Sequence, residues 1–399
     1  MIPTSLLVGG SLGLPDNNFM SGIKIFYIAN ARMPTEKAHG IQLAKMCEAF
    51  MEAGANLELI VPRRKIAARD MQDFYGLRCK IPLKSLPVLD MYSAGRLGFL
   101  IGSCSFTLSY FFYLLYARFL YPRAVIYTID MDQFSFFLVP FLGLPYFVEI
   151  HDAKERGLAF SILFRNAKGI IVINRRIQKA LIKNFGIPEK NIMMYPNGID
   201  LTLFHRAFSK NEARKILGLS SEKRLAVYVG KIYPWKGLDI LVKAASKIGE
   251  ALIYIVGGSK EEFTALLENP AIPPNIICVG DKNYQEIPLW LAAADALLVL
   301  GTQKNDYSYY HTSPMKLFEY MASGRPILAS NTPANREIVS DKEAWFYRPD
   351  NSDDLAEKFL SLFSDLEKSK AKADEATDKV KQFTWQLRAN NVLQFMKIL

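Results

Sequence analysis

The sequence predicts an α/β protein made of two doubly wound, parallel-sheet domains that face each other across a cleft. Three observations predict it. Short, near-continuous apolar runs recur along the whole chain, the pattern of strands covered on both faces. Longer stretches of helical periodicity separate those runs. The scheme runs once before residue 200 and again after it, with the turn signal Pro196-Asn197-Gly198 between.

The elements follow in order. Residues 1–20 read as a loose extension, because Pro3, Pro15 and several glycines interrupt an apolar patch that lacks the basic start of a secretory leader. A first domain over 21–200 opens with the strand "IKIFYIA" (23–29) and a helix from about Gly40 to Ala53. Its further strands are "LELIV" (57–61), "AVIYTID" (124–130), "YFVEI" (146–150) and "GIIVI" (169–173). A second domain over 201–383 repeats the scheme with "RLAVYVG" (224–230), "ALIYIVG" (251–257), "NIICVG" (275–280), "ALLVL" (296–300) and "PILAS" (326–330). Residues 384–399 form a last helix with Leu387, Val392 and Phe395 among its apolar positions.

Residues 97–121 have two readings. From Leu97 to Ala117 there is no charge, which is long enough to span a bilayer. A span there would split the first sheet in two, so a buried or interfacial helix of the α/β domain is the expectation.

Bulk composition narrows the partners. Half of the 399 residues are apolar, 12% are aromatic and 22% are charged, which excludes a disordered chain. Cysteines 47, 79, 104 and 278 form no CxxC pair and the four histidines are scattered, so neither a zinc site nor a disulfide framework can be read. The net charge of +10 is lopsided: residues 1–200 hold 23 Lys and Arg against 15 Asp and Glu, residues 201–399 hold 26 against 24. The basic half therefore favours phosphates or acidic lipid. Nucleic acid is the weakest partner class, since no aromatic RNA-binding motif or recognition helix is present.

In open parallel sheets, ligands sit beyond the carboxyl ends of the strands. The first strand of the second domain ends at Gly230, and the loop after it carries Lys231, Pro234 and Lys236 before Gly237 opens a helix. Two cations beside a helix start can clamp a diphosphate; the plain alternative is two solvated lysines. In "HTSPMKLFEYMASGRP" (311–326), Ser313 can cap a helix and Pro314 suits its first position. The N–H groups of Met315, Lys316 and Leu317 would then form an anion seat, and Glu319, one turn further in, would accept hydroxyls. The alternative is an ion pair of Glu319 with Lys316 on an exposed face.

In the first domain, "YFVEI" ends in His151-Asp152, which suits hydroxyl recognition or proton handling, or a capping Asp152 with a satisfied histidine. Lys37, His39 and Gly40 lie in a loop before a helix and can line the cleft. "DMD" (130–132) imitates a metal-binding Asp-x-Asp, but reads as two ordinary strand-end acids.

Together, "VGKIYPWKGLDILVKA", "SPMKLFEYMASGRPILAS" with "REIV" after it, "YPNGIDLTLF" and "VEIHDA" resemble the family 4 glycosyltransferases of the GT-B fold. The likeness runs from about Ile23 to the end of the chain. It implies two Rossmann-like domains, a UDP- or GDP-linked sugar held mainly by the C-terminal one, and an acceptor held mainly by the N-terminal one. It also implies transfer with retention, without a metal or other cofactor, and a last helix that crosses back to the first domain. By that resemblance Lys231 and Lys236 hold the diphosphate, Glu319 the ribose, and His151 the sugar near the reacting carbon. The loop at Gly40 approaches the diphosphate and acceptor. Where the family's Glu-x7-Glu motif has its first glutamate, against the donor sugar, this chain has His311. That departure keeps a catalytically inactive nucleotide-sugar-binding subunit as an alternative. A nucleotide-sugar epimerase is a second one. A dinucleotide dehydrogenase is weak, because no G-x-G-x-x-G follows either first strand. The basic first half, "RRKIAAR" (63–69) and the aromatic segment 97–121 lead to the expectation of a cytoplasmic protein in peripheral contact with anionic membrane, and of a glycan or lipid-linked acceptor.

Overall fold

The structure, a computed structural model, describes residues 23–64, 70–129, 132–205, 208–267, 272–311 and 315–398. The extension 1–20 and most of the basic run 63–69 lie outside the described residues. Two all-parallel sheets carry the fold. The first holds β1 (Lys24–Ile28), β2 (Asn56–Pro62), β3 (Leu83–Leu86), β4 (Val125–Ile129), β5 (Tyr146–Ile150), β6 (Gly169–Val172) and β7 (Ile192–Met194), in the order β3-β2-β1-β4-β5-β6-β7. The second holds β8 (Leu225–Val229), β9 (Leu252–Val256), β10 (Ile276–Cys278), β11 (Ala296–Val299), β12 (Ile327–Ser330) and β13 (Trp345–Tyr347), in the order β10-β9-β8-β11-β12-β13. Each order reverses once, at β1/β4 and at β8/β11, and those switch points are where such sheets place ligands.

The apolar runs are continuous because both faces of each sheet are covered. In β1, Ile25 and Tyr27 enter one core while Phe26 and Ile28 enter the other. In β8, Leu225, Val227 and Val229 face one way and Ala226 and Tyr228 the other. The strands that sequence reading missed, β3, β7 and β13, are short, and each ends a sheet or lies at its edge.

Helix Gly95–Leu120 links β3 to β4 and covers the first sheet. It buries Phe106, Tyr110 and Leu114 and exposes Leu97, Leu108, Phe112, Tyr116 and Phe119. It is apolar on both its buried and its exposed face, and among the described residues it is the one helix long and apolar enough to cross a membrane.

Helix Trp385–Ile398 returns to the first domain, where Trp385, Ala389, Val392, Leu393 and Met396 join the core under helix Ala38–Glu52. Gly198 allows that crossing: a Cβ there would lie 2.7 Å from the Trp385 ring. Two sequence expectations need correction. Leu387 is exposed, and the neighbouring Arg388 is the residue that is buried. Gly40 lies inside helix Ala38–Glu52, with Lys37 as its N-cap, and its missing side chain gives room to Thr35 and the Tyr75 hydroxyl.

Candidate functional site

The C-terminal wall of the cleft is built where β8 runs out. Gly230 has φ +140°, a backbone state that side chains rarely adopt. The chain then makes a single turn over Pro234–Lys236, and left-handed Gly237 launches helix Leu238–Ala245. Lys236 rests its ammonium 3.8 Å over the Trp235 ring, and burial lowers its pKa to about 8. Helix Met315–Ala322 brings in Lys316. Its Nζ is enclosed, makes no hydrogen bond among the described residues, and lies 3.8 Å over the Tyr228 ring. Burial, and then the charge of Lys236, push this amine well below its ordinary pKa, against the pull of Glu319. The two lysines therefore lie close enough for their charges to act on each other.

Glu319 is buried, not on an exposed face, so the surface ion-pair alternative does not describe it. Burial raises its carboxyl to about 7, against the hydrogen bond from Tyr284 and the charge of Lys316. Residues Leu317–Ala322 of this helix are all buried, which explains the apolar setting of the glutamate. Ser313 and Pro314 lie outside the described residues. Met315 packs against the core of the first domain, so the start of this helix faces the cleft. Lys231 is placed differently from Lys236. Its Nζ is 2.5 Å from Asp281 Oδ2, and its charge also reaches Glu36 of the first domain.

The N-terminal wall centres on a residue that sequence reading passed over. Glu149, fully buried at the end of β5, receives Arg388 through two bonds of 2.9 and 3.2 Å. Gln42 donates to it at 3.1 Å, and the Tyr127 hydroxyl also donates. His151 Nε2 lies 2.6 Å from Glu149 Oε1, and a carboxylate only accepts, so this nitrogen carries the hydrogen. Burial alone would raise the carboxyl; Arg388, His151 and Tyr127 hold it at about 2. Arg388 also donates to the Pro196 carbonyl at 3.0 Å, which ties the crossover to the same carboxylate. A glutamate inside an otherwise apolar strand was the signal for this network.

Contacts cross between the walls. Asn174 donates to the His311 carbonyl at 3.4 Å, and the Arg175 amide to Glu337 at 2.6 Å. Arg176 stacks 3.5 Å from the Tyr310 ring centroid. Burial lowers the His311 pKa, and Asp152 opposes it, so His311 lies near the strand end that carries His151. Its Nδ1 is enclosed without a partner among the described residues. Lys37 and His39 are exposed at the start of helix Ala38–Glu52 and are not gathered into either cluster.

Among the described residues, no group of three or more His, Cys, Asp or Glu side chains could hold a metal. Asp132 caps helix Gln133–Phe136, while Asp130 lies outside the described residues.

Two parallel sheets face a cleft whose C-terminal wall holds the enclosed Lys316 amine, with Lys236 near it. This is GT-B architecture. Residues 209–380 match the family model described as glycosyl transferases group 1, so that part of the chain is similar to this group. Similar solved structures include sucrose-phosphate synthase from Thermosynechococcus elongatus, with TM-score 0.74 and 18% identity, covering 94% of this chain and 98% of that one. Another is Anabaena HepE in complex with UDP, with TM-score 0.73 and 18% identity, covering 94% and 100%. At such identity these share the fold. Among curated relatives, the D-inositol 3-phosphate glycosyltransferase of Nocardia farcinica is 26% identical over 260 residues, 61% of this chain and 56% of that protein. The UDP-Gal:alpha-D-GlcNAc-diphosphoundecaprenol alpha-1,3-galactosyltransferase of Escherichia coli is 25% identical over 183 residues, 43% of this chain and 45% of that protein. The chain thus spans about half of the length of each of these two relatives.

Proposed function

We propose that this protein is a retaining glycosyltransferase that moves a hexose from a nucleoside-diphosphate sugar to a hydroxyl of a glycan or lipid-linked acceptor. The observation that carries this reading is the closeness of Lys236 and Lys316 beside buried Glu319, at the strand ends of a GT-B cleft. Two ammonium groups without a bonded carboxylate suit a diphosphate, and a carboxylate one turn further suits ribose hydroxyls. UDP is the favoured nucleotide over GDP, because a structural neighbour binds UDP and UDP-glucose and a relative is named for UDP-Gal.

In this mechanism the acceptor oxygen attacks the anomeric carbon on the face that the diphosphate leaves. The C–O bond breaks with its electron pair on the β-phosphate, which takes the acceptor proton. Lys236 and Lys316 stabilise that charge in a desolvated site, so no metal is required. His151, with its tautomer fixed by Glu149, faces the sugar. His311 replaces a carboxylate beside the donor sugar and sets which sugar is accepted.

The acceptor lies at an anionic membrane surface. Support comes from the exposed stripe of Leu97, Leu108, Phe112, Tyr116 and Phe119, with Arg96 and Arg123 exposed near the two ends of the same helix. On this reading the protein is a peripheral protein of the cytoplasmic face.

The test is a thermal-shift screen of nucleoside diphosphates and their sugar conjugates, followed by product analysis with and without acceptor. UDP and one UDP-sugar should raise the melting temperature, and transfer should require acceptor. Sugar interconversion without acceptor would mark an epimerase, and binding without turnover an inactive subunit. Co-sedimentation with anionic but not neutral vesicles at low salt is expected; indifference to both refutes the membrane contact.

A further inference from the structure

We infer that the side chains of Lys316 and Tyr228 form an inner donor pair, set directly behind the Gly230 backbone, for an oxygen of the departing diphosphate. This rests on the nucleotide-sugar reading above, which already uses the Lys316 charge, and deepens it by adding Tyr228 and the convergence of both donors at Gly230. Gly230 is the point of convergence. A Cβ built there would lie 3.1 Å from Lys316 Nζ and 3.5 Å from Tyr228 Oη. Both atoms are enclosed, and neither has a hydrogen-bond partner among the described residues. Gly230 itself is partly exposed.

Three simpler accounts fall short. An ion pair of Lys316 with Glu319 would satisfy the ammonium, yet Nζ bonds no carboxylate. The contact with the Tyr228 ring, 3.8 Å from Nζ to its centroid, partly compensates the cation but leaves the Tyr228 hydroxyl unsatisfied. A structural lysine would gain nothing from a second cation nearby, and Lys236 is that cation. Burying an ammonium and a hydroxyl without acceptors costs stability that the ring contact returns only in part. What the two atoms lack is an acceptor. Both can donate to an oxyanion, and an anionic ligand at Gly230 supplies one. As the anomeric C–O bond breaks, charge gathers on the β-phosphate, where charge-assisted bonds are strongest.

Calorimetric titration of UDP, UMP and inorganic pyrophosphate into wild-type protein, Lys316→Met and Tyr228→Phe tests this. Methionine keeps the length of the stem and removes the charge. We expect Lys316→Met to weaken UDP and pyrophosphate by about tenfold or more and to spare UMP, which has no β-phosphate. Tyr228→Phe should weaken the same two ligands by a few-fold. The unliganded Lys316→Met protein should melt about 2–4 °C higher, because a buried unpaired charge is gone. Equal UDP affinity in Lys316→Met and wild type overturns the donor pair while leaving the nucleotide reading intact, as does a lower melting temperature with unchanged affinity. Pyrophosphate binding that needs Lys316, with UDP no tighter than pyrophosphate, keeps the pair and removes the nucleotide reading. Failure of wild type to bind either anion overturns both.

Discussion

The two walls of the cleft treat buried charge in opposite ways. On the N-terminal wall, Glu149 is fully buried and partnered on every side by Arg388, Gln42, Tyr127 and His151. On the C-terminal wall, Lys316 is enclosed with no hydrogen bond, Lys236 is desolvated beside it, and Glu319 is pushed toward its neutral form. A satisfied buried ion holds architecture; unsatisfied ones mark where a ligand completes the structure. The first wall ties strand, crossover and last helix together, and on the proposed reading the second carries its cost until an anion arrives.

The most damaging way to break this contrast is to unpair the first wall. Arg388→Ala leaves Glu149 buried without its main counter-charge and frees the Pro196 carbonyl. We expect a loss of about 3–5 kcal/mol in unfolding free energy by denaturant titration. A change below ~1 kcal/mol would show that Glu149 is no better partnered than the second wall.

Next in size is the second wall's own cation. Lys236→Ala should reduce turnover by about 10²–10³-fold, the scale of losing one preorganised donor at a developing oxyanion, with a far smaller effect on stability. Near-normal turnover in steady-state assays refutes the clamp. If stability falls as much as for Arg388→Ala, the lysine is architectural and the two walls are alike.

Much of this was legible in the chain. The apolar runs gave ten of the thirteen described strands their places, because β1, β8 and their neighbours are covered on both faces and have no polar phase to obscure them. Strands β3, β7 and β13, three or four residues at a sheet's margin, were not legible; β10 is as short and as marginal, but the run 275–280 extends beyond it. The positions of Lys236 and Glu319 followed from turn and helix-start signals. What the pattern could not give was pairing across long separations. Lys231 and Lys236 look equivalent in sequence, yet only one meets an aspartate, 50 residues away. Arg388 was hidden inside an amphipathic tail, and its partner Glu149 is 239 residues distant.

Protonation tests the contrast more finely. In the folded protein Glu319 keeps its proton to about 7, while an unfolded glutamate loses it near its ordinary value of about 4.3. Between those values the folded state binds the extra proton. The contribution of Glu319 is therefore full below the unfolded value and is lost as pH rises through about 7. Unfolding free energy of the wild type should drop across that window by up to about 3 kcal/mol more than that of Glu319→Gln. Parallel pH profiles for the two proteins would mean that the carboxylate is already satisfied, as Glu149 is. Ribose hydroxyls favour the ionised form, so UDP binding near pH 6–7 should release protons, measurable as a buffer-dependent binding enthalpy.

The smallest effect is the one that separates two neighbouring lysines. Lys231 is a paired cation on the unpaired wall: it reaches Asp281 at 2.5 Å, with side chains 34% and 62% exposed. An ion pair in that setting contributes roughly 0–1 kcal/mol, so Lys231→Ala should leave stability almost unchanged. Its influence on donor affinity depends on whether the ammonium leaves Asp281 for the phosphate. Asp281→Asn removes that competitor, and we expect it to tighten UDP binding by a few-fold at low salt, with the gain shrinking as salt rises. Lys231→Ala in the Asp281→Asn background should then abolish the gain. If Asp281→Asn leaves UDP affinity untouched, Lys231 belongs with the paired charges of the first wall, and the diphosphate is held by Lys236 and Lys316 without it.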